Sequence, residues 1–187
     1  MSEDQQGQLI CRFTHDRIQA ATYNLLDKTE RRQLHLKIGR LINEQTPKDK
    51  LGKWLFFILE QLNAGKRSVK KEHERIQLAE LNLMACEKAK ASAAFESAAG
   101  YARIGIELLP EGCWEKCYET ALNLYREGAQ SEYFIGHYEQ AEALYEEACN
   151  KAKTNLDLLH IYSILASQFL KQSRYSDLVE LLRKGLS

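Results

Sequence analysis

Apolar residues recur every three or four positions through most of this chain, the spacing of one buried helical face. The first residues differ: positions 8–13 alternate loosely and predict one short strand. From Asp16 onward the period is helical, with Ile18, Ala21 and Leu25 on one stripe. Asp27 followed by Glu30 predicts a capping box opening a second helix, which would bury Leu34, Ile38, Leu41 and Ile42. Thr46-Pro47 has the form of an N-cap with proline at the first helical position. Leu51, Leu55, Ile58, Leu59 and Leu62 then stripe a third helix that Gly65 ends.

A polar connector, Lys66 to Lys71, leads into a fourth helix marked by Ile76, Ala79, Leu83 and Cys86. Ser92-Ala93-Ala94 separates it from a fifth, carrying Phe95, Ala98, Ala102 and Leu109 as far as Pro110. A sixth is predicted from Trp114 to Ile135, with Tyr118, Ala121, Leu122, Tyr125 and Ala129 on one side. Gly136-His137 turns the chain into a seventh. Helices eight and nine follow, divided near Gln172-Ser173-Arg174.

Three registers repeat within this pattern. Ala129, Tyr138, Ala141, Tyr145 and Ala148 keep the same intervals as Ala166, Tyr175, Leu178, Leu182 and Gly185, and as Cys86, Phe95, Ala98, Ala102 and Gly105. Two antiparallel helices in a tight hairpin need small residues where their backbones approach and a large one to fill the gap beside them. The small–small–aromatic–small set at Ala129, Ala141, Tyr145 and Ala148 resembles the tetratricopeptide (TPR) repeat. The intervals between registers are longer than that repeat's usual period, so inserted residues would lengthen helices or loops. The fold class expected is therefore all-α: antiparallel helical hairpins forming a TPR-like α-solenoid.

Composition narrows the function classes. Formal net charge is zero, so no overall basic field draws the chain to nucleic acid or an anionic membrane. Cys11, Cys86, Cys113, Cys117 and Cys149 are odd in number and scattered, as in reduced cytoplasmic thiols rather than a disulfide framework. The run Trp54 to Leu59 is far too short to span a bilayer, and the polar N-terminus is no signal peptide. A cytoplasmic, soluble protein without membrane insertion is the expectation.

The segment Phe13-Thr14-His15-Asp16-Arg17-Ile18-Gln19-Ala20-Ala21-Thr22-Tyr23, with Arg31 to Gly39 after it, resembles the end of the winged-helix region in STAND-type signalling ATPases. More narrowly it is similar to very large bacterial proteins joining a serine/threonine kinase, an AAA-type ATPase, helical repeats, a GAF domain and a histidine kinase. Ala89 to Phe95 and Gly105 to Pro110 resemble the helical region after the ATPase in those proteins. The resemblance covers about residues 9–185. It implies a winged-helix remnant and first linking helices over residues 1–45, and a TPR-like region over 46–187. In that family a winged-helix histidine can touch the phosphate of bound ADP, and the position that carries over is His15, with an upstream ATPase domain as partner.

Two other readings of His15-Asp16 stand beside this one. Asp16 can cap a helix with His15 as a turn residue. Alternatively His15, Asp16, His35 and His73 would form a metal site of the HD-phosphohydrolase type, although the flanking Lys and Glu of His35 and His73 indicate solvated faces. The chain has no G-x-x-x-x-G-K-[ST] loop and no kinase catalytic triplet, so no catalysis, no cofactor and no metal are assigned to it alone. ATP or ADP with Mg is implied for the parent protein, an ATPase and protein kinase. Cys113 and Cys117 lack a second ligand pair, and Lys66, Arg67, Lys70 and Lys71 run into Glu72 and Glu74 as a solvated loop. Trp54, Phe56 and Phe57 surround their helix, which predicts burial on more than one face or docking on a missing domain. The expected function is a non-catalytic regulatory and protein-interaction region coupled to an upstream nucleotide switch; the alternative is a free-standing TPR-like adaptor binding a protein or peptide.

Overall fold

A computed structural model of the chain describes residues 2–3, 9–10 and 23–185. It divides into two compact units, Met1–Val69 and Lys70–Ser187, so that the first helical hairpin straddles the 45/46 boundary drawn from the resemblance. The segment from Arg12 to Ile18, including His15 and Asp16, lies outside the described residues.

In the first unit, β1 (Ser2–Glu3) and β2 (Leu9–Ile10) form a short antiparallel ladder. Helix α1 (Lys28–Gln45) opens on the capping box: the Asp27 carboxylate accepts from the backbone N–H of Thr29 and Glu30, and the Glu30 carboxylate accepts from that of Asp27 at 2.8 Å. Helix α2 (Leu51–Gly65) packs antiparallel to it through Leu55, Ile58, Leu59 and Leu62.

The inward stripe of α1 is Leu36 and Gly39, whereas Leu34, Ile38 and Leu41 are exposed. This corrects the stripe expected from hydrophobicity. A Cβ at position 39 would stand 2.6 Å from Leu62 Cδ2, so the two backbones meet where α1 offers no side chain. Close approach outweighed side-chain size. Thr46 is likewise not an N-cap. Its hydroxyl donates back to the Ile42 carbonyl at 2.6 Å, and a single 3₁₀ turn over Lys48–Lys50 intervenes before α2. The extended Thr46 backbone is what a following proline enforces.

The second unit holds α3 (Glu72–Ala91), α4 (Phe95–Leu108), the single turn α5 (Cys113–Lys116), α6 (Tyr118–Phe134), α7 (Tyr138–Lys151), α8 (Asn155–Lys171) and α9 (Tyr175–Gly185). The helix expected over Trp114–Ile135 is broken at Cys117, whose φ of −146° leaves the helical region between α5 and α6. Helices pair as hairpins α3–α4, α6–α7 and α8–α9, and successive hairpins stack, α6 on α4 and α3, and α8 on α7. The chain is an all-α protein of antiparallel helical hairpins.

The three hairpin turns are the same turn. Each places one residue in the left-handed region: Ala93 at φ 56°, Gly136 at φ 85° and Ser173 at φ 58°. In each the next N–H reaches back to the carbonyl five residues earlier, Ala94 to Ala89, His137 to Glu132 and Arg174 to Phe169, all at 2.9 Å. This is the closure that ends a helix by capping its last free carbonyls, and its recurrence fixes the hairpin angle three times over.

The repeated core positions are filled in the first two hairpins. Cys86, Ala98 and Ala102 are buried in one, Ala129, Ala141, Tyr145 and Ala148 in the next. In the third hairpin the inward residues are Leu165 and Leu181, while Tyr175 is 62 % exposed and Leu182 lies outside the core. Tyr175 keeps the place beside the turn that Phe95 and Tyr138 take; Tyr138 is exposed too and Phe95 is half-buried, so this aromatic position is not a core position. No helix among the described residues is long and apolar enough to cross a membrane.

Candidate functional site

Helices α6 and α8 lie side by side in the stack with a groove of about 200 Å³ between them. Gln130, Tyr133 and Phe134 line it from α6; Ser163, Ile164, Ser167 and Lys171 line it from α8. Ser163, Ser167 and Lys171 are spaced four residues apart in turn, which puts two hydroxyls and an ammonium in one row along α8. Phe134 closes one end by stacking on Phe95, with ring centroids 4.4 Å apart.

A polar layer beneath the groove holds it rigid. Glu127, nearly buried on α6, accepts from the Lys90 ammonium and faces Arg126 Nε at 3.5 Å. Lys90 also donates to the Gln130 side-chain oxygen at 2.5 Å, tying α3 to the groove wall. Glu132 is 3 % exposed and is satisfied by Arg103 Nε and His137 Nδ1, both at 2.8 Å. Gln168 Nε2 donates to the Tyr145 hydroxyl at 3.1 Å. Burial drives the pKa of that phenol far up, so it stays neutral. Among the described residues no buried side-chain nitrogen or oxygen lacks a partner. A network satisfied at every member specifies one arrangement of the helices it joins.

The groove can hold a backbone in extended form. Gln130, Ser163 and Ser167 offer donors and acceptors, while Ile164 and the exposed edge of Phe134 offer apolar contact. Lys171 has no carboxylate partner among the described residues, so one cationic donor is available at the α8 end. Arg126 Nη1 lies 3.3 Å from His160 Nδ1, and a guanidinium can only donate, so that nitrogen is the acceptor.

None of these groove residues was singled out by sequence; the signal available was the polar row at Ser163, Ser167 and Lys171. Of the residues that were, His15 lies outside the described residues. His35 has both ring nitrogens engaged, Nε2 with the Tyr23 hydroxyl and Nδ1 with Gln61 Oε1, each at 2.8 Å. Among the described residues no group of three or more His, Cys, Asp or Glu is placed to hold a metal ion. The Cys113 and Cys117 thiols are both raised in pKa, foremost by burial. Burial likewise pushes the Cys86 thiol up to about 11, opposite to what a nucleophile needs.

Comparison with known proteins gives a signalling context. The chain is 31 % identical, over 193 aligned positions, to hybrid signal transduction histidine kinase G of Dictyostelium discoideum. The match takes in 90 % of the chain but only 6 % of that kinase's length. No family model matches the chain, and no solved structure gives a significant match.

Proposed function

We propose that this chain is a non-catalytic regulatory and protein-interaction region of a multidomain signal-transduction protein, with TPR-like hairpins presenting the α6–α8 groove to a protein partner. The observation that carries the reading is the likeness of nearly the whole chain to a small part of a hybrid histidine kinase. The groove, rigid below and hydrogen-bonding above, is the kind of surface an extended segment of a partner can occupy. The finer reading places an ATPase domain upstream, with His15 donating to the phosphate of bound ADP and so reporting nucleotide state to the hairpins. ATP or ADP with Mg then belongs to that parent protein.

The test is ADP affinity in a gene product that carries this segment after an upstream ATPase. His15→Ala should weaken ADP binding about ten-fold, the loss of one charge-assisted phosphate contact. Equal affinity in the two proteins defeats the sensing role.

One observation favours the free-standing adaptor as a second reading: every residue lining the groove lies between Gln130 and Lys171, inside one compact unit. An in-frame phosphate-binding loop upstream decides for the switch. Partner binding of equal strength by residues 1–187 alone and by the longer gene product decides for the adaptor.

A further inference from the structure

A second cleft, on the other side of α8, has chemistry of a different kind. It opens between α7, α8 and α9 with a volume of about 350 Å³. Leu165, Leu181 and the buried ring of Tyr145 form its floor, and Tyr162 and Phe169 its aromatic walls. It shares Phe169, Leu181 and Lys184 with an adjoining cleft of about 230 Å³, so the two are one continuous depression. Clefts of about 300–1,000 Å³ with apolar walls and a few placed polar groups are the usual form of a small-ligand site.

The charge at the rim is one-sided. Glu142 and Glu146 stand on α7, Asp177 and Glu180 on α9, and they face two cations, Arg174 and Lys184. Four carboxylates against two cations leave two negative charges over, in a chain whose net charge is zero. Arg174 is committed to Glu142 and to Asp177, the latter at 2.5 Å. Lys184 pairs with Glu180 at 3.2 Å. Glu146 makes no ion pair among the described residues; burial foremost, and its charge after that, raise the pKa of Cys149 on the same wall.

The walls already accept a cation. The Arg174 guanidinium lies over the Phe169 ring, 4.7 Å from its centroid. An aromatic face, an apolar floor and an unpaired carboxylate at the mouth together select a ligand with a flat apolar body and a positive end. A neutral ligand of the same shape would gain the floor and lose the rim, and an anion would meet repulsion.

We infer that the α7–α8–α9 cleft binds a small organic cation, a protonated primary amine carried on an aromatic ring. The ring lies against Tyr162 and Phe169, and the ammonium meets the Glu146 carboxylate. This site is separate from the α6–α8 groove and does not depend on the role proposed for it.

The probe is phenethylamine, compared by calorimetry on the 187-residue chain with 2-phenylethanol and 3-phenylpropionate, which keep the ring and change the charge. The amine should bind up to about five-fold more tightly than the alcohol, and the carboxylate least, as one partly exposed ion pair allows. Glu146→Gln, an exposed substitution on α7, should bring the amine's affinity down to about that of the alcohol by removing the ion pair, since both ligands keep the ring contact. Equal binding of amine and alcohol, no binding of the amine at millimolar concentration, or an advantage unchanged by Glu146→Gln would each overturn the inference.

Discussion

Phe95, the first residue of α4, and Phe134, the last residue of α6, stack with ring planes 23° apart. They sit beside successive hairpin turns, so their contact sets the turn of one hairpin against the turn of the next. Phe134→Ala should lower stability by about 1 kcal/mol, the worth of an aromatic pair with part of its area exposed. Urea unfolding measures this, and an unchanged midpoint would show that the stack is incidental.

The left-handed turn residues make a second prediction with opposite signs at equivalent places. Ala93 and Ser173 hold positive φ with a Cβ, where Gly136 holds it without one. Ala93→Gly and Ser173→Gly should each stabilise by up to about 1 kcal/mol, and Gly136→Ala should destabilise by about the same. Thermal unfolding of the three variants checks the signs together.

Gly105 is a close-approach position rather than a flexible one. A Cβ there would lie 2.5 Å from Leu124 Cδ2, and Leu124 is fully buried. Gly105→Ala should cost about 1–3 kcal/mol by overpacking the α4–α6 contact. In a double-mutant cycle, Leu124→Ala should absorb much of that cost, because the added methyl then enters the space it vacates.

A pH prediction follows from Cys86. Burial pushes its thiol up from the ordinary value of 9.0 to about 11. The native state therefore favours the neutral form. Its contribution is whole below pH 9 and is lost as pH rises from 9 toward 11, at about 1.4 kcal/mol per pH unit within that window. Cys86→Ala removes the titration without orphaning Ser131, whose hydroxyl donates to the Glu127 carbonyl at 2.8 Å. The stability difference between parent and variant should shrink between about pH 9 and 11; a constant difference would contradict it.

Much of the fold could be read from sequence, and the failures have physical causes. The Asp27–Glu30 box was legible because both halves of a capping box are local. The hairpins were legible because small residues recur where helices touch. The face of α1 was misread because hydrophobicity favours Ile38 over Gly39, whereas packing distance selected the glycine. The break at Cys117 has no glycine or proline to announce it. Phe95, Tyr138 and Tyr175 share one spacing, yet Phe95 is half-buried against Phe134 while both tyrosines are exposed, because spacing says nothing about what covers a side chain. The groove was illegible in outline because it is made by two helices whose apposition no periodicity encodes; its one sequence signal, the Ser163–Ser167–Lys171 row on α8, does not say what it faces.

The most direct measurement is site-specific photocrosslinking from the groove in the intact protein in its own cells. A photoreactive residue at Ser167 should yield one discrete protein adduct. The same residue at the exposed turn position Glu111 should yield none, and Ile164→Glu should abolish the Ser167 adduct while leaving the helical circular dichroism unchanged. Equal labelling from both positions, or an adduct that survives Ile164→Glu, would contradict a protein-binding role for this surface.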